Sequence, residues 1–96
     1  MNSYKNLTIF FVSYYSRKNI ARILKKIDSK IKDLIIDNAQ EKDLKKYFKK
    51  RFGNIKIITC KYNSGQTGGI NIGLKNSKTK YSIYMDSDIS FRHDVI

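Results

Sequence analysis

The 96-residue sequence has no proline or tryptophan, one cysteine, one histidine and only eight acidic side chains against twenty basic ones. Each scarcity narrows the choices. A single Cys60 rules out an internal disulfide and any cysteine cluster for zinc, and suggests a reducing cytoplasm. His93 has only Asp94 beside it as a second metal-type ligand, so it reads as a surface residue. No proline-rich or low-complexity stretch marks a linker, and no segment repeats, so the expectation is one small domain over residues 1–96. No apolar run approaches the ~20 residues needed to span a bilayer. The longest, Leu7 to Val12, is interrupted by Thr8 and suits a strand. A chain this short buries only about 60–65% of its unfolded surface, so its core must be modest.

Charge is what the chain has in excess, a formal +12. Such a balance attracts nucleic acid, anionic membranes and phosphorylated ligands alike. The lysines are scattered over several segments, and lysine, isoleucine and asparagine are abundant together. The first reading is therefore compositional bias on solvated faces. Weak peripheral attachment to an anionic membrane comes second, and nucleic acid third, with no specific nucleic-acid site expected.

Leu7 to Ser13 is apolar, β-branched and aromatic, the pattern of a strand buried on both faces. Ser16 is placed to cap the helix that follows. Ile20, Ile23, Leu24, Ile27 and Ile31 lie on one helical face, predicting a helix over about residues 17–29. Leu34 to Ile36 is a short strand ending at Asp37 and Asn38. A second helix is expected with Glu41 and Asp43 in its first turn, Lys49 to Arg51 in its last, and Gly53 at its stop. Ile55 to Thr59 is a third strand. Four of the five glycines fall between Asn63 and Gly73, where a helix over about residues 67–76 is expected. The fourth strand, Tyr81 to Met85, runs into Asp86-Ser87-Asp88. Alternating strands and helices imply right-handed βαβ units, hence a Rossmann-like α/β/α arrangement with a mainly parallel sheet.

In a parallel sheet every strand exit lies on one edge. That edge gathers Ser13 and Tyr14, Asp37 and Asn38, Lys61 to Asn63, and Asp86 to Asp88. Two carboxylates at one exit suit a hard divalent cation, for which Mg²⁺ takes one or two carboxylates plus substrate phosphates. A bare Asp-x-Asp is also common in solvated turns.

Together these pieces resemble family-2 glycosyltransferases of the GT-A fold: Val12-Ser13-Tyr14, Ile36-Asp37-Asn38, Asn63-x-Gly65, Gly69-x-Asn71-x-Gly73 and Asp86-Ser87-Asp88. The stretch Asn63 to Gly73 is most similar to the rhamnosyltransferase-like branch. The resemblance implies strand order 3-2-1-4, a nucleotide-sugar donor (UDP-, dTDP- or GDP-linked), Mg²⁺ or Mn²⁺, and a glycan or lipid-linked acceptor. It implies that Ser13 and Tyr14 line the nucleoside pocket and that Asp37 accepts from the base. It further implies that Asn63, Gly65, Gly69 and Asn71 border the donor, and that Asp86 and Asp88 serve ribose and metal. It also implies that this chain is the donor-binding half, truncated, with the catalytic base and acceptor half absent and no transfer by the isolated chain.

Other readings of the same residues stand beside these. Tyr14 could pack on the first helix, Asp37 could cap the second, and the glycines could serve a tight turn and close helix–sheet packing. Asp86-Ser87-Asp88 could be a plain turn. At the level of function, the alternatives are a non-catalytic nucleotide-sugar-binding module, or a basic accessory protein on RNA or membrane.

Overall fold

The computed structural model describes residues 6–87. Four strands, β1 (Leu7–Ser13), β2 (Lys32–Asp37), β3 (Ile55–Thr59) and β4 (Tyr81–Tyr84), alternate with three helices, α1 (Arg17–Leu24), α2 (Leu44–Arg51) and α3 (Gly65–Asn76). The sheet has the order β3-β2-β1-β4 and every pairing is parallel. This is the α/β architecture and strand order expected.

From β1 to β3 the chain steps one way across the sheet; from β3 to β4 it crosses back past β1. Right-handed connections in opposite directions must put their helices on opposite faces. Accordingly, Ile9, Phe11, Ile35, Ile55 and Ile57 meet Ile20, Ile23, Leu24, Leu44 and Phe48 of α1 and α2. The alternate residues Phe10, Leu34 and Ile36 form a second core, against which Ile70 and Ile72 of α3 pack.

Polar side chains move the helix boundaries from those expected. Helix α1 ends at Leu24 because the backbone tightens, with N–H of Lys26 and Ile27 donating to the carbonyls three residues back. Asp28 then accepts from Lys30 N–H (2.9 Å), an aspartate turn that sets Ile31 into the core without a helix. Ser16 stands at the N-cap but makes no side-chain cap bond; its hydroxyl donates to the Tyr14 carbonyl. Helix α2 begins only at Leu44, so no acid sits in its first turn; Asp43 precedes it in the left-handed region. Asp37 does not cap it. The helix ends on Phe52 in extended conformation, so Gly53 follows the stop without making it. Helix α3 starts two residues earlier than expected, on Gly65, whose φ of 75° is one that glycine adopts without strain.

No helix among the described residues is long and apolar enough to cross a membrane.

Candidate functional site

In open α/β sheets the crevice opens where the chain reverses direction across the sheet, outside the carboxyl ends of the strands. Here that point lies between β1 and β4. A cleft of about 440 Å³ opens there, lined from β1 by Val12 and Tyr14 and from β4 by Tyr84, Asp86 and Ser87. Asn63, Gly65 and Gln66 close it from the start of α3, with Ser16 and Asn38 completing the wall. Tyr14, Asn63, Gly65 and Asp86, four residues singled out in the sequence, are thus brought together from separate segments.

The others lie behind or away from the lining. Ser13 is fully buried, its hydroxyl accepting from Ser16 N–H (3.4 Å) and its carbonyl from Asn38 N–H (2.8 Å). Asp37 is fully buried too; its two oxygens accept from Ala39 N–H and Glu41 N–H, both 2.9 Å. It therefore shapes the loop that presents Asn38. Gly69 is buried against β1, where a Cβ would stand 2.5 Å from Val12 Cγ1. Gly73 repeats this at Phe10, with 2.2 Å to the ring. Both glycines let α3 ride low on the sheet. Asn71 is on the exposed side of α3 and is not on the cleft wall. Asp88 lies outside the described residues, as do His93 and Asp94.

Two residues to which sequence reasoning had given no role, Asn38 and Gln66, hold the cleft in shape together with Asn63, to which it had. Asn38 is a buried clamp: its Nδ2 donates to the Gly65 carbonyl (2.8 Å), while its Oδ1 accepts from Ser64 N–H (3.2 Å) and Ser64 Oγ (2.8 Å). That ties the β2 exit to the first turn of α3. Gln66 Nε2 donates to the Tyr84 hydroxyl (2.8 Å), joining α3 to the end of β4. The Asn63 side chain accepts from Gly65 N–H (2.9 Å) and folds the turn into the helix. A polar residue at a strand exit was the available signal for Asn38; the Gln66–Tyr84 bond has no local signature.

Two tyrosines rise at the rim. Tyr14 is 58% exposed and meets Tyr15 edge-on, ring centroids 4.9 Å apart. Tyr15 has φ 57°, uncommon for a bulky side chain. Tyr14 is accordingly not packed down on α1. Behind them, Arg17 Nε and Nη2 both donate to Glu41 Oε2, at 3.2 and 3.1 Å, fastening α1 to the loop before α2.

The cleft's charge is informative in a chain so basic. No lysine or arginine lines it, and Asp86 is its single charged wall residue among those described. The N-terminal turn of α3 contributes partial positive charge from its backbone N–H groups, which favours an anion. Asp86 opposes one. A diphosphate entering this cleft therefore calls for a cation. The wall residues suit a hard one: they offer carboxylate, hydroxyl, amide and phenol oxygens and neither sulfur nor imidazole. Among the described residues no group of three or more acids, histidines or cysteines could cage a metal alone. Remaining ligands would come from substrate phosphates, as is usual for Mg²⁺.

A parallel three-layer α/β unit with a polar cleft at its reversal point, lined by a carboxylate and by the start of a helix, belongs to the Rossmann-like class of α/β proteins. The sequence comparison is more particular: residues 8–96 match the family described as glycosyl transferase family 2. The chain belongs to that family, which gives it a glycosyltransferase-type, nucleotide-sugar-binding function. No curated protein gives a significant match to the chain.

Proposed function

We propose that this chain binds the nucleotide-sugar donor of a metal-dependent, inverting glycosyltransferase in the cleft between β1, β4 and the start of α3. The observation that carries the reading is the meeting of Tyr14, Asn63, Gly65 and Asp86 in one cleft at the point of strand reversal. The exposed Tyr14 ring is a stacking surface for a base. The start of α3 offers phosphate the partial positive charge of a helix N-terminus, with the Ser64 and Gly65 N–H groups themselves taken by Asn38 and Asn63. Asp86, with Asp88 two residues on, holds ribose and Mg²⁺ or Mn²⁺. A cation so held would neutralise the diphosphate and the charge developing on the departing nucleoside diphosphate. Ser13 and Asp37 act from behind, by holding the exits of β1 and β2, and Gly69 and Asn71 act through the placement of α3.

Inverting transfer also needs a base to take the acceptor hydroxyl's proton, a contribution of typically ~10²–10⁴-fold. Asp86 is the one acid on the described cleft wall. With it committed to metal and ribose, the described residues bind donor and leave the base to be supplied from outside them. That also keeps a second reading in play, a module that binds nucleotide sugars without turning them over. The donor is a UDP-, dTDP- or GDP-sugar of the kind used by rhamnosyltransferase-like enzymes, and the acceptor a glycan or lipid-linked glycan at the cytoplasmic membrane face.

Thermal shift against UDP, GDP and dTDP, with Mn²⁺ or with chelator, tests the assignment. A ligand at about 100 times its Kd adds roughly 2.7 kcal/mol of apparent stability. Wild-type chain should show that gain with one of the three only when Mn²⁺ is present, and Asp86→Asn should abolish it. A gain of equal size in chelator would sink the metal assignment.

A further inference from the structure

Strand β4 ends on Tyr84, two residues before Asp86, and both side chains line the donor cleft. Strand pairing runs one residue further, since Met85 N–H donates to the Phe10 carbonyl (2.9 Å). Met85 accordingly turns to the core beneath α1 and α2, and Tyr84 to the opposite face. There its ring tilts on Phe10, centroids 5.6 Å apart. Phe10 is fully buried, with Gly73 of α3 directly against it, so the tyrosine ring is set from below. At the outer end of the ring, the phenol oxygen accepts from Nε2 of Gln66 (2.8 Å), a residue in the first turn of α3. A phenol can accept and donate at once. Here the accepting side is taken, and the O–H donates to none of the described residues.

We propose that Tyr84 is a binding residue for the donor's diphosphate, giving its phenol proton to a phosphate oxygen, and that Gln66 is the positioning residue that aims it. The inference rests on the donor-cleft reading and adds a contact to it. The described wall offers a phosphate few donors, because no lysine or arginine lines it. Several of the N–H groups nearby are already spent. Ser64 N–H goes to Asn38 and Gly65 N–H to Asn63, while the Asn38 amide itself donates to the Gly65 carbonyl. The Gln66 amide is given to Tyr84, and through that bond the phenol proton is turned away from α3 and left for a guest in the cleft. A donor fixed in advance is worth most where charge grows, and the diphosphate gains charge as the sugar departs.

Isothermal titration of the full chain with UDP, GDP and dTDP in Mn²⁺ tests this, using two variants that each break the Gln66–Tyr84 bond. Tyr84→Phe keeps the ring on Phe10 and removes the proton. It should weaken binding of the nucleoside diphosphate by about tenfold or more, the usual worth of a hydrogen bond to a charged group. Gln66→Met keeps the proton but no longer directs it, and should cost only about threefold. Uridine, guanosine and thymidine, which carry no phosphate, should bind both variants as they bind the unmutated chain. Equal losses in the two variants would make the hydroxyl a mere latch between α3 and β4 and overturn the proposal. So would undiminished diphosphate binding by Tyr84→Phe, or a loss just as large for the nucleosides. If the unmutated chain binds none of the three diphosphates, the donor-cleft reading fails and this contact with it. If Asp86→Asn abolishes binding and Tyr84→Phe leaves it untouched, that reading stands and only the Tyr84 contact is removed.

Discussion

On one face of the sheet, α1 and α2 stand off at the distance that isoleucine, leucine and phenylalanine side chains set, and a dozen buried residues fill the gap. On the other face, α3 comes down until glycine backbone touches Val12 and Phe10, with four buried residues forming that core. The first arrangement stabilises by volume. The second gives up apolar volume for position, because lowering α3 brings its first turn level with the strand exits, where Asn38 and Tyr84 can reach it. Stability and site geometry are therefore assigned to different faces, and substitutions can separate them.

The largest effect should come from the thick face. Phe48→Ala empties a fully buried ring position and should cost about 3–5 kcal/mol. In a domain of this size that leaves little folded protein, as a denaturant melt would show. On the thin face, Gly73→Ala drives a methyl into the Phe10 ring and should cost about 3 kcal/mol, the upper range for overpacking. Its signature differs: any folded fraction should have α3 displaced and nucleotide binding lost beyond what the stability loss accounts for. If Gly73→Ala binds nucleoside diphosphate like wild type, α3 does not position the cleft.

A third substitution sharpens the contrast from the other side, because the thick face carries one misfit, Asp33. Its folded pKa of about 7 lies above the ordinary 3.8, so the folded state holds the proton more tightly than the unfolded chain. Stability from that proton is complete at low pH and is lost as pH rises from about 4 to about 7. Asp33→Asn does not suffer this loss and should be more stable than wild type by about 2 kcal/mol at pH 8, with the gap narrowing toward pH 5. Urea melts at the two pH values check it; a gap independent of pH would show that the acid is not buried in charged form. The smallest effect, about 1–2 kcal/mol, is expected for Asn38→Ala, which strips the clamp from Ser64 and Gly65. Titration should show nucleoside diphosphate binding weakened about tenfold, the equivalent of 1.4 kcal/mol.

Much of this layout was legible in the residues. The runs Leu7 to Ser13 and Ile55 to Thr59 are rich in apolar and β-branched residues, and both strands have those bounds. Parallel pairing followed from alternation, whereas the order of strands came from likeness to a family and not from periodicity. Helix ends were less readable, since Asp28 and Asp37 bind nearby backbone N–H groups and delay or stop a helix, an outcome that depends on loop path. The glycines announced room without saying for what, and Val12 and Phe10 supply the answer. Nothing in the sequence singled out Asp33, which precedes the apolar run Leu34 to Ile36. It is covered because the chain around Asn54 folds over it, its carbonyl accepting from Asp33 N–H at 3.0 Å, a contact no local pattern encodes. Asp88 falls outside the described residues.

The strand order also dictates a timetable for assembly. β1 finds β2 a short distance along the chain, and β3 then adds to β2, so three strands and two helices can form from near neighbours. The other side of β1 waits for β4, which pairs Leu7 with Tyr81 across almost the whole described chain. Contacts of such long sequence separation form slowly. Until they do, a nearly uninterrupted apolar strand presents one bare edge, an invitation to pair with another chain. The lysine-rich surface, of little use in the donor cleft, would keep such half-built molecules apart by mutual repulsion during that interval.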